Sequence, residues 1–355
     1  MLPIAASNRA YEKWLSSRLT VLPADLKRKH GKMAKSAFAF LRATFFRWVE
    51  AWPEVCTGLA AAPCVLSVGD IHVENFGTWR DAEGRLAWGV NDFDEAEVLP
   101  YTNDLVRLCT SVVLGAAASP ARVCVRVLKG YESSLRAGGA PFILGGADHE
   151  WLANLAQIRA KDASALWARL QGFKRVTPPR SVQSLLTREF PKPISGLHFG
   201  HRFAGLGSLG RQRFAAIATW GGGLVAREAK TLTTSAVHWQ TSKRDAPIRY
   251  GEILERAVRA SDPWLSVQEG WVVRRLAPDS RKIEIEELRR SSDLNQFLEA
   301  MGWELGNIHL STPQRRNAVL RDLQGRKPRW LQAATAQMVE ATVRDWKEWK
   351  KTGPR

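Results

Sequence analysis

The chain of 355 residues is long enough for two compact units. Its 45% hydrophobic and 25% charged residues are those of a globular protein and exclude a disordered or fibrous chain. No run approaches eighteen uninterrupted apolar residues, so no membrane span is expected. Residues 1–13 lack an apolar core of signal-peptide length, and an unprocessed cytoplasmic protein is expected. Lys plus Arg number 52 against 35 Asp plus Glu, a net charge of +17. Such a balance favours an anionic partner, whether nucleic acid, a phosphate-rich ligand or an acidic surface. The four cysteines, Cys56, Cys64, Cys109 and Cys124, form no CxxC pair and are expected as reduced, buried thiols.

In chain order, a basic run over 27–35 precedes a helix expected over 36–52, with Phe38, Leu41, Phe45, Trp48 and Val49 on one face and Pro53 as its stop. Two apolar β-rich runs follow, 64–68 and 86–90, with turn chemistry between them from Asp81, Glu83 and Gly84. Helices are expected over 104–118 and 121–136, parted by Ser119-Pro120, and over 149–170. Segment 174–213 then shifts in composition. It carries Pro178, Pro179, Pro191 and Pro193 and is basic, and it reads as a crossing between units. Strands at 213–219 and 224–230 form a hairpin around Gly221-Gly222-Gly223. A helix over 249–260, strands over 271–276 and 282–286, and helices over 293–309 and 329–350 complete the chain. No internal repeat is evident.

Three constellations carry chemistry. Gly69-Asp70-Ile71-His72-Val73-Glu74-Asn75 follows an apolar strand. An Asp with an Asn five residues later is the spacing of the kinase catalytic loop, in which the Asp accepts the proton of the attacking hydroxyl and the Asn holds magnesium. Asn91-Asp92-Phe93-Asp94 begins at the end of the next β-rich run, so a hairpin would carry Asp70 and Asp92 to one end of paired strands. A carboxylate there suits a Mg²⁺ bridging nucleotide phosphates, because magnesium is hard and keeps few protein ligands. Either cluster alone is a polar turn; their joint placement carries the functional reading.

The third constellation is Gly205-Leu206-Gly207-Ser208-Leu209-Gly210, a GxGxxG. In a dinucleotide fold it would open a helix. Here β-rich sequence follows, and Lys230 lies about twenty residues on in Leu224-Val225-Ala226-Arg227-Glu228-Ala229-Lys230. Glycines that cover phosphates, with a lysine on a following strand, are the kinase arrangement. The carboxylate expected to hold that lysine is Glu252 or Glu255, with Glu252 preferred.

The order of these motifs is reversed from an ordinary kinase, so either the likeness is accidental or the chain is circularly permuted. Gly69-Asp70-Ile71-His72 with Asn75, then Asp92-Phe93, then Tyr101-Thr102-Asn103-Asp104-Leu105, resemble the phosphotransferase pattern of the aminoglycoside and choline kinases: a GDxHxxN loop, a DF metal motif and a later DL pair. The resemblance is closer to a bacterial family known as domain of unknown function 2252, which carries GDxHxENFG, NDFD and a GxGSxG loop followed by a lysine-bearing strand. It runs over about 32–310 and is most specific at GDIHVENFGTW and VNDFDEA.

The resemblance implies an α+β, bilobal protein-kinase-like fold, circularly permuted, with the catalytic-loop lobe first and the glycine-loop lobe later. The expected units are an N-terminal basic segment and helix (1–55), a catalytic-loop helical lobe (56–173), a β-rich nucleotide lobe (174–290) and C-terminal helices packing on the helical lobe (291–355). Carried over by residue, Asp70 is the base with His72 beside it, Asn75 and Asp92 are metal ligands, and Asp104 supports the catalytic loop. Gly205, Gly207, Ser208, Gly210, Lys230 and Glu252 would bind ATP, with Lys230 as phosphate anchor. Two departures stand out. Val68 replaces the His or Arg that many relatives have before the catalytic Asp. Asp94 stands where protein kinases have glycine, as a second metal ligand or as the sign of a site that binds nucleotide without transfer.

The expected function is therefore an ATP- and Mg²⁺-dependent phosphotransferase whose small-molecule or protein acceptor is unspecified. A nucleotide-binding pseudokinase or scaffold is the alternative. A metallophosphoesterase, suggested by Gly69-Asp70-Ile71-His72 and Gly306-Asn307-Ile308-His309, wants more His and Asp ligands than the sequence supplies. Non-specific nucleic-acid binding driven by the +17 charge is the fourth reading.

Overall fold

A computed structural model describes residues 1–116, 118–157, 160–240, 246–283 and 291–354. Helix makes up 52% and strand 17%, so the architecture is mixed α+β. The chain opens with helices α1 (Ile4–Ser16), α2 (Pro23–Met33), α3 (Ala37–Ala43) and α4 (Phe45–Val55). Strands β1 (Cys64–Ser67), β2 (Phe76–Arg80), β3 (Leu86–Val90) and β4 (Glu97–Pro100) follow, then helices α5 (Tyr101–Ala116) and α6 (Pro120–Ala137). After β5 (Phe142–Ile143) come α7 (Glu150–Leu155), α8 (Ala160–Gln171) and α9 (Arg180–Arg188). The β-rich part holds β6 (Ser195–His201), β7 (Arg213–Trp220), β8 (Gly223–Thr231), α10 (Tyr250–Arg256), β9 (Ser266–Gln268) and β10 (Trp271–Leu276). Helices α11 (Ser291–His309), α12 (Arg316–Gly325) and α13 (Trp330–Thr352) end it.

Among the described residues there are three sheets. β1 pairs with β4, β2–β3–β5 form a second sheet, and β6–β7–β8–β10–β9 form a third, every pair antiparallel. The period-two side-chain alternation divides the five-stranded sheet cleanly. Phe214, Ala216, Ala218, Ala229 and Val273 pack against Val182, Leu185 and Leu186 of α9. Ala215, Ile217, Ala226 and Leu276 pack on the other face against Leu166 and Leu170 of α8.

The principal core is helical. In α5 the residues from Tyr101 to Val112 are all buried, and α13 packs along it. Helices α6 and α11 meet backbone to backbone. A Cβ on Gly130 would collide with the Glu299 carbonyl, and one on Gly302 with the Val127 carbonyl.

The structure corrects several expectations. The helix expected over 36–52 is two helices, broken at Thr44 (φ −129°, ψ 47°). There the Thr44 hydroxyl donates to the Phe40 carbonyl at 2.7 Å, a local bond that competes with helix continuation. Pro53 lies inside α4 rather than ending it. Runs 64–68 and 86–90 are strands but not partners: β3 pairs with the unforeseen β2, across a turn in which Asp81 Oδ1 accepts from the Glu83 and Arg85 amides. The stretch 149–170 is two helices, α7 and α8. Segment 174–213 is no plain crossing, because it contains α9 and β6. Helices α1 and α12 were not foreseen. Of the strand expected at 282–286, Lys282 forms a single bridge to Gly77, and 284–286 lie outside the described residues. The cysteines are free; Cys56, Cys109 and Cys124 are buried, but Cys64 is exposed.

The α6–α11 contact generates a test. Alanine gains about 1 kcal/mol in helix propensity over glycine, but here its methyl would enter a backbone carbonyl. Gly302→Ala is therefore expected to destabilise the protein by about 2 kcal/mol, read as a lowered urea midpoint with unchanged slope.

Candidate functional site

The loop after β1 is shaped by one carboxylate. Asp104, in the first turn of α5 and fully buried, accepts hydrogen bonds from the Val68 amide (2.7 Å) and the Gly69 amide (3.1 Å). Nε2 of His309 in α11 lies 3.2 Å from the same carboxylate, and Nδ1 of that ring is 2.8 Å from the Tyr131 hydroxyl of α6. Gly69 has φ +78°, and a Cβ there would strike the Glu95 carbonyl, so the turn demands glycine.

The turn delivers Asp70 to Arg107, one helical turn beyond Asp104. The Asp70 Oδ1 accepts from Arg107 Nε at 3.1 Å and from a second guanidinium N–H. The guanidinium is wholly buried, 5.0 Å from the Phe45 ring centroid and 4.9 Å from that of Trp48. Burial pushes the Asp70 carboxyl up to about 7, with Arg107 opposing. The bracing that Val68 lacks is thus supplied from α5. Sequence reasoning missed Arg107; a lone arginine within the apolar run 105–113 was the available signal.

Asn75 closes the loop: its Oδ1 accepts from the His72 amide at 2.6 Å. His72 is buried, and its Nδ1 accepts from the Glu74 amide at 3.2 Å. Burial, with Arg42 and Lys282 nearby, keeps its imidazole pKa well below 6.5.

Lys230 reaches the second acidic cluster. Its Nζ lies 3.1 Å from Asp92 Oδ1 and 2.5 Å from Asp94 Oδ1. Burial alone would raise Asp92, but Lys230 and Arg274 outweigh it and hold that carboxyl below the usual range. Asp94 is pushed up to about 6, by burial first and then by the charge of Asp92. Glu252 does not meet Lys230. It pairs with Arg249 at 2.8 Å, and Glu255 is exposed.

The glycine string is the loop between β6 and β7, and it lies over Asp70. A Cβ placed on Gly207 would be 3.3 Å from Asp70 Oδ2 and 3.0 Å from the Arg42 carbonyl. The N-terminal helices hold the loop there. Lys29 Nζ donates to the Gly207 carbonyl (3.0 Å), the Leu22 amide donates to the Gly210 carbonyl (2.8 Å), and His201 Nε2 pairs with Asp25 at 3.0 Å. Burial drives the Lys29 ammonium down to about 8. Ser208 Oγ accepts from Arg213 at 2.6 Å.

Asp70, His72, Asn75, Asp92, Asp94, Gly205, Gly207 and Ser208 line one cavity of about 490 Å³, within the range of small-molecule sites. Lys230 stands behind the aspartates; it, Gly210 and Glu252 are not among the lining residues. Lys29, Arg42, Arg202, Arg211, Arg213, Arg259, Arg274 and Lys282 make the wall strongly cationic. Among the described residues no group of three or more His, Cys, Asp or Glu is placed to hold a metal. Asp92 and Asp94 offer two hard carboxylates, enough for a magnesium ion that keeps most of its water or phosphate ligands. The Asn75 amide oxygen already serves the loop backbone.

The chain matches the model of a family described as uncharacterized proteins conserved in bacteria (DUF2252), over residues 20–165 and 199–352. It belongs to that family. No curated protein and no solved structure matches it. No helix among the described residues is long and apolar enough to cross a membrane.

The buried carboxylate of Asp104 sets a prediction for this family member. Asp104→Ala strands two amides and His309 and is expected to cost about 3–5 kcal/mol of stability. Asp104→Asn, which keeps one acceptor oxygen, should cost less. Equilibrium urea unfolding of both variants checks the order.

Proposed function

We propose that this protein is an ATP- and Mg²⁺-dependent phosphotransferase with a circularly permuted, kinase-like arrangement, Asp70 acting as base on an acceptor hydroxyl. One observation carries the reading: Gly207 of the glycine-rich loop lies against Asp70 Oδ2 across a cavity that also holds Asp92 and Asp94. A glycine-rich loop joining the first two strands of an antiparallel sheet, with a lysine on the third, supports it further.

The roles follow from the contacts. Arg107 fixes Asp70 through Oδ1 and leaves Oδ2 facing the cavity to take a proton. The Asp104 and Asn75 bonds keep the loop from relaxing as charge shifts. Asp92 and Asp94 would hold magnesium, whose chemistry is to neutralise charge on the transferring phosphoryl group. Lys230 holds both aspartates in one orientation. Gly205, Gly207 and Ser208 would cover the phosphates and exclude water.

The alternative of nucleotide binding without transfer draws on two details: Asn75 Oδ1 is spent on the loop, and Lys230 is committed to Asp92 and Asp94. Transfer assays decide between the two.

A base must be ionised to accept a proton. With the Asp70 carboxyl near 7, kcat/KM is expected to rise with pH through about 7 and to level off above it. Asp70→Asn should lower turnover by about 10²–10⁴-fold. A flat profile from pH 6 to 8 would remove Asp70 as base.

Mg-ATP at 100 times its dissociation constant should stabilise the protein by about 2.7 kcal/mol. Asp92→Ala should abolish the magnesium-dependent part of that shift in thermal unfolding. A shift unchanged in the variant would sink the metal assignment.

A further inference from the structure

Lys230 was the expected phosphate anchor, yet it lies behind Asp92 and Asp94 with both carboxylates on its ammonium. Among the cations that do reach the cavity are two arginines on the same sheet face. Arg213 of β7 is the cross-strand partner of Lys230, and Arg274 of β10 is that of Glu228, two residues before Lys230 on β8. The backbone amide of Arg202, just after β6, donates to the Arg213 carbonyl at 3.2 Å. Arg202 and Arg213 therefore stand at the two roots of the glycine-rich loop.

All three guanidiniums converge on the Glu228 carboxylate. Arg274 Nε is 2.8 Å from it, Arg213 Nη1 is 3.2 Å from it, and Arg202 donates to it as well. Glu228 is 1% exposed. Among the described residues it is the only carboxylate in ion-pair contact with the three, so one negative charge serves three positive ones. Of the other carboxylates along the cavity, Asp92 and Asp94 touch Lys230 and Glu95 touches Arg211, while Asp92 and Asp262 act on Arg274 only through space. Uncompensated charge in a largely buried wall is costly unless an anion completes it. Guanidinium forks match phosphate oxygens in pairs, which a lysine does not.

We propose that Arg202, Arg213 and Arg274, organised by Glu228, form the polyphosphate-anchoring site of this protein, and that Lys230 serves to orient Asp92 and Asp94 instead. The identity of the ligand as a nucleotide's phosphate chain rests on the phosphotransferase reading; the anion site itself does not. The triad lies under the loop root, where Arg213 also holds Ser208, so a bound phosphate would sit beneath Gly205 and Gly207.

The test uses inorganic tripolyphosphate with chelator present, followed by titration calorimetry and thermal unfolding of the full chain at 0.3 M salt, where the general +17 charge is screened. Wild type is expected to bind and be stabilised. Arg202→Gln and Arg274→Gln should each weaken binding at least tenfold. Arg344→Gln, a surface control, should stay within threefold of wild type. Each glutamine variant leaves Glu228 with two arginines, so the fold survives, and circular dichroism verifies it. Absence of tripolyphosphate binding by wild type, or wild-type binding by both glutamine variants, overturns the proposal. Two mixed results separate it from the function proposed above. Tripolyphosphate binding through the arginines without Mg-ATP transfer keeps the anion site and removes the phosphotransferase. Mg-ATP-dependent transfer by wild type, with tripolyphosphate binding intact in both arginine variants, does the reverse.

Discussion

One buried carboxylate organises this molecule. Asp104 takes the two amides at the head of the β1 loop, and Asn103 Nδ2 and the His309 ring, itself backed by Tyr131, also meet its carboxylate. Those bonds join α5, α6, α11 and the loop, elements separated by as many as 205 residues. With both amides satisfied, the loop has one way to leave the strand, and that way points Asp70 at Arg107. Buried polar networks of this kind are costly when partly satisfied and rigid when complete, so the geometry of Asp70 is a consequence of the helical core. Arg107, pressed between Phe45 and Trp48, extends the same constraint to α4.

The charge pattern of the cavity has a simple logic. Carboxylates and cations line it together: Asp70, Asp92 and Asp94 follow β1 and β3, while the cations include Arg213 and Arg274 on the five-stranded sheet and Arg202 and Arg211 beside the glycine-rich loop. The pairs that form are unequal. Lys230 serves two aspartates, whereas Glu228 serves three arginines. Asp92 and Asp94 differ in proton affinity because Arg274 adds to Lys230 at Asp92, whereas at Asp94 burial and the charge of Asp92 outweigh Lys230 and Arg211. The second inequality leaves positive charge on the wall. A cavity lined by both carboxylates and surplus cations suits a ligand that arrives as metal plus polyanion, as in the function proposed above.

Much of the site was legible in the sequence because it sits in short, local motifs. Asp70, His72 and Asn75 share one turn, Asp92 and Asp94 another, and glycines at 205, 207 and 210 with a lysine two strands on mark the loop. What the sequence did not disclose was who faces whom. Strand pairing is a long-range choice, so β1 and β3, read as neighbours, each found another partner. Helix breaks set by a single hydroxyl, as at Thr44, escape a hydrophobic pattern that runs on through them. The partner of Lys230 was sought on the next helix, by analogy, and came from the cluster already singled out for metal. The arginine triad needed three strands in register; period-two alternation puts Glu228 and Lys230 on one face, but only the pairing of β7, β8 and β10 adds Arg213 and Arg274.

The order of the motifs along the chain has a structural counterpart at the N-terminus. The glycine-rich loop enters late, and the chain that closes over it comes from before the Asp70 loop. Val21 bridges Arg211, the Leu22 amide meets Gly210, Lys29 meets Gly207, and Arg28 lies 4.0 Å from the Phe203 ring centroid. The basic run over 27–35 is thereby explained in part, since Lys29 is buried against loop backbone rather than solvated. Any opening of the loop must break these contacts together, and each involves α2 or the residues just before it. Access to Asp70 Oδ2 past Gly207 is therefore tied to the N-terminal helices, whose contacts hold residues 205–210 in place.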